Sequence, residues 1–147
     1  MITPAPTSPI AGTLARGTYE GLVPATSARQ ECVKMAFLGT SYEMHLVPTR
    51  PVKADVGKRL IGIIRAQARR IDIVKSGGRY VEPVMGRPRR VQGPIVAIEP
   101  SSNSIVVDAG MPIHCTCTDP RQQAQSFEVG QFVSFDVLDG STFTQAD

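Results

Sequence analysis

Three observations in the sequence predict an all-β fold. Short stretches alternate apolar and polar side chains, which is the period of a half-buried strand. The 13 glycines and 12 prolines among 147 residues interrupt the chain more often than an all-helical protein tolerates. Trp is absent and aromatic residues make up 5% of the chain, so the core must consist mainly of aliphatic side chains. No run of about 18 apolar residues is present, which excludes a transmembrane helix.

The N-terminal segment does not share this periodicity. Residues 1–29 are rich in Pro, Thr, Ser, Ala and Gly, and we expect an irregular or disordered tail there. A single β-barrel domain is expected over 30–140, with a short C-terminal tail over 141–147. The domain should begin with a hairpin, because 32–38 and 42–47 are strand-like and a tight turn separates them.

The segment 58–71 is ambiguous between helix and strand. As a helix it would carry aliphatic side chains on one face and arginines on the other. Gly62 in its middle costs about 1 kcal/mol relative to Ala in a helix, and neighbouring isoleucines add β-branched crowding. As a strand it lines one face with Leu60, Gly62, Ile64 and Ala66. We therefore favour a strand and keep the helix as the alternative.

The clearest β pattern lies in the C-terminal half, after a short strand over 71–74 and an extended piece over 79–85. A meander of three strands is predicted over 90–99, 104–108 and 111–118. A short helix is expected over 120–126, because Asp119 can cap it and Pro120 suits its first position. The closing strand is expected over 131–138, after Phe127-Glu128-Val129-Gly130.

This order of meander, short capped helix and closing strand resembles the oligonucleotide/oligosaccharide-binding (OB) fold over residues 89–140. The resemblance implies a small OB-like Greek-key barrel, which commonly binds single strands or sugars on one sheet face. The strands over 31–85 would complete or extend that barrel. Barrels of this kind that bind nucleic acid usually stack bases on aromatic side chains. Residues 58–126 contain only one aromatic residue, Tyr80.

Charge is distributed unevenly along the chain. Residues 58–90 carry ten basic and two acidic residues, a net charge of +8, whereas 91–147 carry one basic and seven acidic residues, a net charge of −6. Guanidinium groups bind phosphate oxygens through paired hydrogen bonds, and a tyrosine can stack on a base. The predicted nucleic-acid-binding residues are Lys75, Arg79, Tyr80, Arg87, Arg89 and Arg90. The alternative is that these arginines pair with acidic residues of the C-terminal third, around Glu99, Asp108 or Asp136.

Catalytic and metal-binding motifs are absent from the sequence. Neither histidine lies in a nucleophile motif, and no glycine-rich phosphate loop is present. On a strand, Cys115 and Cys117 would point to one face and His114 to the other, so the three could not converge on a metal. We therefore expect no enzyme activity, no metal and no cofactor.

The sequence favours a cytoplasmic location and leaves two functions open. Three cysteines cannot all pair within one chain, and the N-terminus lacks the features of a secretory signal. The favoured function is a non-enzymatic binding module that contacts single-stranded nucleic acid through its phosphates. The alternative is a protein-interaction or structural β-barrel module whose basic loop binds an acidic protein. No membrane partner is expected.

Overall fold

The computed structural model describes residues 12–75 and 77–146. The all-β prediction is confirmed, because strands dominate these residues and the helical segments are 3-10 helices of three residues each. No helix in the described part of the chain is long and apolar enough to span a bilayer. The strands are β1 (Ala15–Val23), β2 (Cys32–Ala36), β3 (Glu43–Pro48), β4 (Arg59–Ala68), β5 (Asp72–Val74), β6 (Tyr80–Glu82), β7 (Met85–Gly86), β8 (Arg90–Glu99), β9 (Ser104–Asp108), β10 (Pro112–Cys117), β11 (Phe132–Asp136) and β12 (Thr142–Gln145).

Five strands close a barrel, which we call the first barrel. β1, β2 and β3 form an antiparallel meander, in which the predicted hairpin of β2 and β3 is confirmed. β3 pairs in parallel with β12, β12 pairs antiparallel with β4, and β4 returns antiparallel to β1. The last strand of the chain is therefore inserted between the third and fourth strands.

A second ring of strands repeats this pattern of pairing and shares β4 with the first barrel. β8, β9 and β10 form the predicted antiparallel meander, and β10 pairs in parallel with the C-terminal half of β4. β11 pairs antiparallel with β8 and reaches β4 through a bridge between Ala68 and Val137. Backbone hydrogen bonds of 2.8 and 2.9 Å flank that bridge. We call this arrangement the second ring.

The burial of β4 confirms the strand prediction for the ambiguous segment. Its buried residues alternate with exposed or partly buried ones, and the buried face carries Leu60, Gly62, Ile64, Ala66 and Ala68. This is the face that alternation predicted, extended by one residue. The short strand β5 pairs with β11 on the edge of the sheet and not with β4.

The structure corrects the boundaries of both predicted tails. Within the expected N-terminal tail, Ala15–Val23 forms β1, which pairs with β2 and with β4. Within the expected C-terminal tail, Thr142–Gln145 forms β12, and Phe143 is fully buried. Neither segment has a strong apolar period, and their strand structure rests on backbone pairing with strands that are distant in the chain. Residues 1–11 of the predicted tail lie outside the described residues.

The predicted short helix is reduced to a 3-10 helix over Ala124–Ser126 instead of spanning 120–126. Asp119 accepts the backbone N–H two residues later at 2.9 Å, as a capping residue does. The side chain of Gln122 does not complete a capping box. It accepts the backbone N–H of Ile71 at 2.8 Å and donates to the Ile71 carbonyl at 2.7 Å. The side chain of Gln122 thus makes the two backbone hydrogen bonds to Ile71 that a neighbouring strand would otherwise make.

Candidate nucleic-acid interface

A groove of about 1040 Å³ lies between the end of β11 and the segment that leads from β6 into β8. Its charged lining residues are Arg29, Arg69, Arg87, Arg89, Arg90, Glu82, Asp136 and Asp139. Five cations against three carboxylates give a net charge of +2. Pro83, Val84 and Met85 add an apolar wall. We call this feature the arginine groove.

Backbone hydrogen bonds hold the groove arginines in place. The Arg89 N–H donates to the Glu82 carbonyl at 2.8 Å, and the Arg89 carbonyl accepts the Val137 N–H at 2.9 Å. Its main chain is therefore fixed between β6 and β11 while its side chain stays exposed. The Arg69 N–H donates to the Asp136 carbonyl at 2.8 Å, which brings the residue after β4 to the same wall.

Arg87 is held inside the structure. Its side chain is only 11% exposed and pairs with Asp139 at 3.3 Å. The same guanidinium donates to the Gln30 carbonyl at 3.0 Å, which links the groove to the connection between β1 and β2. With two partners in the chain, this guanidinium has fewer donors left for a ligand.

Arg90 also has partners from β11. Its guanidinium pairs with Asp136 at 2.7 Å and donates to the Ser134 hydroxyl at 2.8 Å. Hydrogen bonding to Asp136, with a smaller contribution from Tyr80, raises the pKa of Arg90 above its usual value. These contacts follow from the antiparallel register, which places Arg90 opposite Asp136.

Three groove arginines have no such partner. Among the residues that the structure describes, no carboxylate pairs with Arg29, Arg69 or Arg89, and none of their side chains makes a hydrogen bond. All three are exposed. Of the five guanidinium groups that line the groove, three therefore have no partner among the described residues, and two are paired.

The remaining predicted site residues do not line the groove. Lys75 is exposed after β5, and Arg79 pairs with Asp108 at 3.4 Å. The Tyr80 hydroxyl donates to the Gln92 side chain at 3.0 Å, so its ring is anchored on the sheet and half-buried. The structure thus brings Arg87, Arg89 and Arg90 together and leaves Lys75, Arg79 and Tyr80 elsewhere.

Sequence reasoning missed two groove residues and underestimated the ion pairs. Arg69 belongs to the basic segment but is not among the predicted site residues, and Arg29 lies in the predicted tail. Both residues lie near strands, and the pairing of those strands with distant parts of the chain brings them to the groove. The alternative that the basic residues pair with the acidic C-terminal third is correct for Arg79, Arg87 and Arg90, whose carboxylate partners all lie there.

The cysteines and the buried histidine form no metal site with neighbouring ligands. Cys115 and Cys117 lie in the core, where burial raises the pKa of both thiols. His114 is buried instead between the Glu99 carboxylate at 3.0 Å and the Thr13 carbonyl at 2.8 Å. Over 12–75 and 77–146, no group of three His, Cys, Asp or Glu side chains is placed to hold a metal ion.

No protein-family model, curated protein or solved structure matches this chain. Function is therefore inferred from the groove and the strand pairing of the chain itself.

Proposed function

We propose that the protein is a non-enzymatic module that binds nucleic acid through its phosphate groups at the arginine groove. The observation that carries the proposal is the set of three guanidinium groups, of Arg29, Arg69 and Arg89, that have no partner within 12–75 and 77–146. Guanidinium forks match phosphate oxygens in geometry as well as in charge. Contacts of this kind are independent of base sequence and weaken as salt increases.

The strand pairing supports an OB-type assignment of the first barrel, whereas the sequence resemblance covers residues 89–140, whose strands β8 to β11 belong to the second ring. Numbered by their order in the chain, the five strands pair in the order 1-2-3-5-4-1, which is that of the OB fold. OB folds bind ligands at the face of strands 2 and 3 and at the loops after strands 1 and 4. Arg29 lies in the connection between β1 and β2, and every other groove residue lies in the connection between β4 and β12.

The charge balance of the groove sets the expected strength of binding. Glu82, Asp136 and Asp139 share the groove with the arginines, so the net charge at the site is +2 and not the +8 of the basic segment. Among the residues that the structure describes, no aromatic side chain lines the groove, so base stacking adds little there. We expect weak, sequence-independent binding, with a Kd on the order of 10⁻⁵ M at moderate salt.

Fluorescence anisotropy with labelled single-stranded DNA and RNA tests the proposal. Binding should be tightest near ~50 mM salt and fall steeply by ~200 mM. The triple variant Arg29→Gln, Arg69→Gln, Arg89→Gln should abolish most of it. The matched control is Arg16→Gln, Lys58→Gln, Arg59→Gln, which removes the same charge from exposed positions around β1 and β4. Absence of binding at low salt, or equal losses in both triple variants, would overturn the proposal.

A protein partner with an acidic segment is the second candidate. Val84 and Met85 are 53% and 64% exposed on the apolar wall of the groove, an arrangement more typical of a protein-binding surface than of a phosphate site. A labelled acidic peptide should then bind more tightly than an oligonucleotide of equal charge. Met85→Ser should weaken the peptide complex and leave the oligonucleotide unaffected.

The thiols of Cys32, Cys115 and Cys117 are all free. A reducing compartment keeps thiols in this state, and we propose the cytoplasm as the location of the protein.

A further inference from the structure

A second depression adjoins the arginine groove. It has a volume of about 250 Å³ and lies against the exposed side of β4, between β10 and the connection from β11 to β12. Its polar lining residues include Arg65, Gln67, Thr116, Ser141 and Thr142. Leu138 and Asp139 line both depressions, so a single stretch of chain separates them. We call the second depression the junction pocket.

A row of polar side chains, two on β4 and one on the residue that follows it, connects the two depressions. Arg65, Gln67 and Arg69 are all exposed and occur at every second residue, so they project from the same side of the chain. At about 3.3 Å per residue, neighbours in this row are about 6.6 Å apart and the two arginines about 13 Å. Arg65 and Gln67 line the junction pocket, whereas Arg69 lines the arginine groove. Hydrogen-bond donors therefore continue from one depression into the other.

Arg65 is available to a ligand. In strand register it lies beside Thr142 of β12 and His114 of β10, neither of which is an acid. Its guanidinium has no carboxylate partner and no hydrogen bond within 12–75 and 77–146. The carboxylate that lines the pocket, Asp139, is paired with Arg87 at 3.3 Å. Arg65 and Asp139 give the pocket lining a formal net charge of zero, and the contact with Arg87 offsets part of the negative charge of Asp139.

Ser141 supplies an independent indication that the junction pocket accepts a polar group. The residue is 5% exposed and lies in the pocket wall. Its hydroxyl is the one buried side-chain polar atom without a hydrogen-bond partner in the described part of the chain. Buried hydroxyls in folded proteins nearly always have a partner.

We propose that the junction pocket is an additional phosphate subsite, occupied when a single nucleic-acid strand leaves the arginine groove along β4. This inference rests on the proposed function. Arg65 binds the extra phosphate, while Gln67 and Ser141 lie beside it as hydrogen-bond partners. The ligand is single-stranded, because a flexible strand can pass over Leu138 and Asp139 into a small pocket. A duplex is too stiff to bend over such a distance.

Oligonucleotides of two lengths separate this subsite from the groove. A trinucleotide is short enough to occupy the groove alone, whereas a decanucleotide, within the length range bound by one OB fold, can reach both depressions. Arg65→Gln should weaken the decanucleotide complex by about tenfold and lower the steepness of its salt dependence by about one phosphate contact. It should leave the trinucleotide complex unchanged. The control is Arg59→Gln, which removes the same charge from an exposed position six residues away on β4.

A measurement on the unmodified chain keeps the test independent of how the variant folds. The NMR signal of the Arg65 side-chain N–H should shift on addition of the decanucleotide and stay in place with the trinucleotide. If neither oligonucleotide binds, the proposed function fails as well. If both bind through the groove arginines while Arg65→Gln equals Arg59→Gln and the Arg65 signal does not move, only the subsite is overturned.

Discussion

Gly62 of β4 and Phe143 of β12 are in direct contact. A Cβ atom added to Gly62 would lie 2.6 Å from the Phe143 ring and closer still to the Thr144 carbonyl oxygen. Both distances are shorter than side-chain contacts permit, so only glycine allows β12 to pass this close to β4. The ring of Phe143 is fully buried at the same place. Closure of the first barrel therefore depends on the absence of a side chain in the middle of its fourth strand.

Gly62→Ala should lower the free energy of unfolding by about 3 kcal/mol, because β12 would have to shift away from β4. Urea denaturation measures the loss. Gly78→Ala is the control, since a Cβ at Gly78 meets no atom within 4 Å. Equal stabilities of the two variants would contradict the close approach of β4 and β12.

Phe143→Ala should cost about 3–5 kcal/mol, since it removes a fully buried aromatic ring from the last strand of the chain. The same denaturation experiment applies. Leu38→Ala provides the comparison, because Leu38 lies fully exposed at the hairpin between β2 and β3 and should change stability by less than about 0.5 kcal/mol. A small effect at Phe143 would mean that β12 is not part of the barrel.

Gln122→Ala should destabilise the fold by about 1–3 kcal/mol, because the variant leaves the backbone N–H and carbonyl of Ile71 without their partner. Thermal or chemical denaturation measures the change. Gln125 bonds only to the exposed side chain of Gln123, so Gln125→Ala should be nearly neutral. Hydrogen exchange at the Ile71 amide should also become faster in Gln122→Ala alone.

Asp119 should titrate at unusually low pH. Hydrogen bonds from the Arg121 side chain and then from its backbone N–H lower the pKa of Asp119 to about 2. Because the folded value lies below the ordinary one of about 3.9, the interaction stabilises the folded protein above about pH 4 and is lost between about pH 4 and 2. NMR titration of the carboxyl group checks the value, and Arg121→Gln should raise it. A carboxyl that titrates near pH 4 in the unmodified protein would contradict this contact.

Asp136→Asn should strengthen oligonucleotide binding, opposite in sign to the loss expected of the arginine variants. The substitution removes a negative charge from the groove and frees the guanidinium of Arg90, which Asp136 binds at 2.7 Å. Anisotropy at low salt should show an affinity increase of several-fold. Asp72→Asn is the matched control, because Asp72 pairs with Arg70 outside the groove lining. Weaker binding in Asp136→Asn would argue against phosphate contacts in this groove.

Local patterns in the sequence determined the strand content of the protein. The hairpin of β2 and β3, the meander of β8 to β10 and the buried face of β4 all follow from local sequence patterns, which are alternation in most strands and a short apolar run in β9. Alternation is informative for β4 because that strand buries one face and leaves the other exposed or partly buried, whereas β9 is marked by a run of consecutive buried apolar residues. Gly62 is a second local signal, because a glycine in the middle of 58–71 disfavours a helix there.

Only the tertiary structure decided how the strands close and which charges meet. β1 and β12 have weak patterns and become strands through partners far away in the chain. Arg90 meets Asp136 across 46 residues and Arg87 meets Asp139 across 52, so composition revealed the two opposite charges but not their pairing. Arg29 and Arg69 join the groove in the same way. Strand closure and ion pairing depend on contacts between distant residues, which no short window of sequence contains.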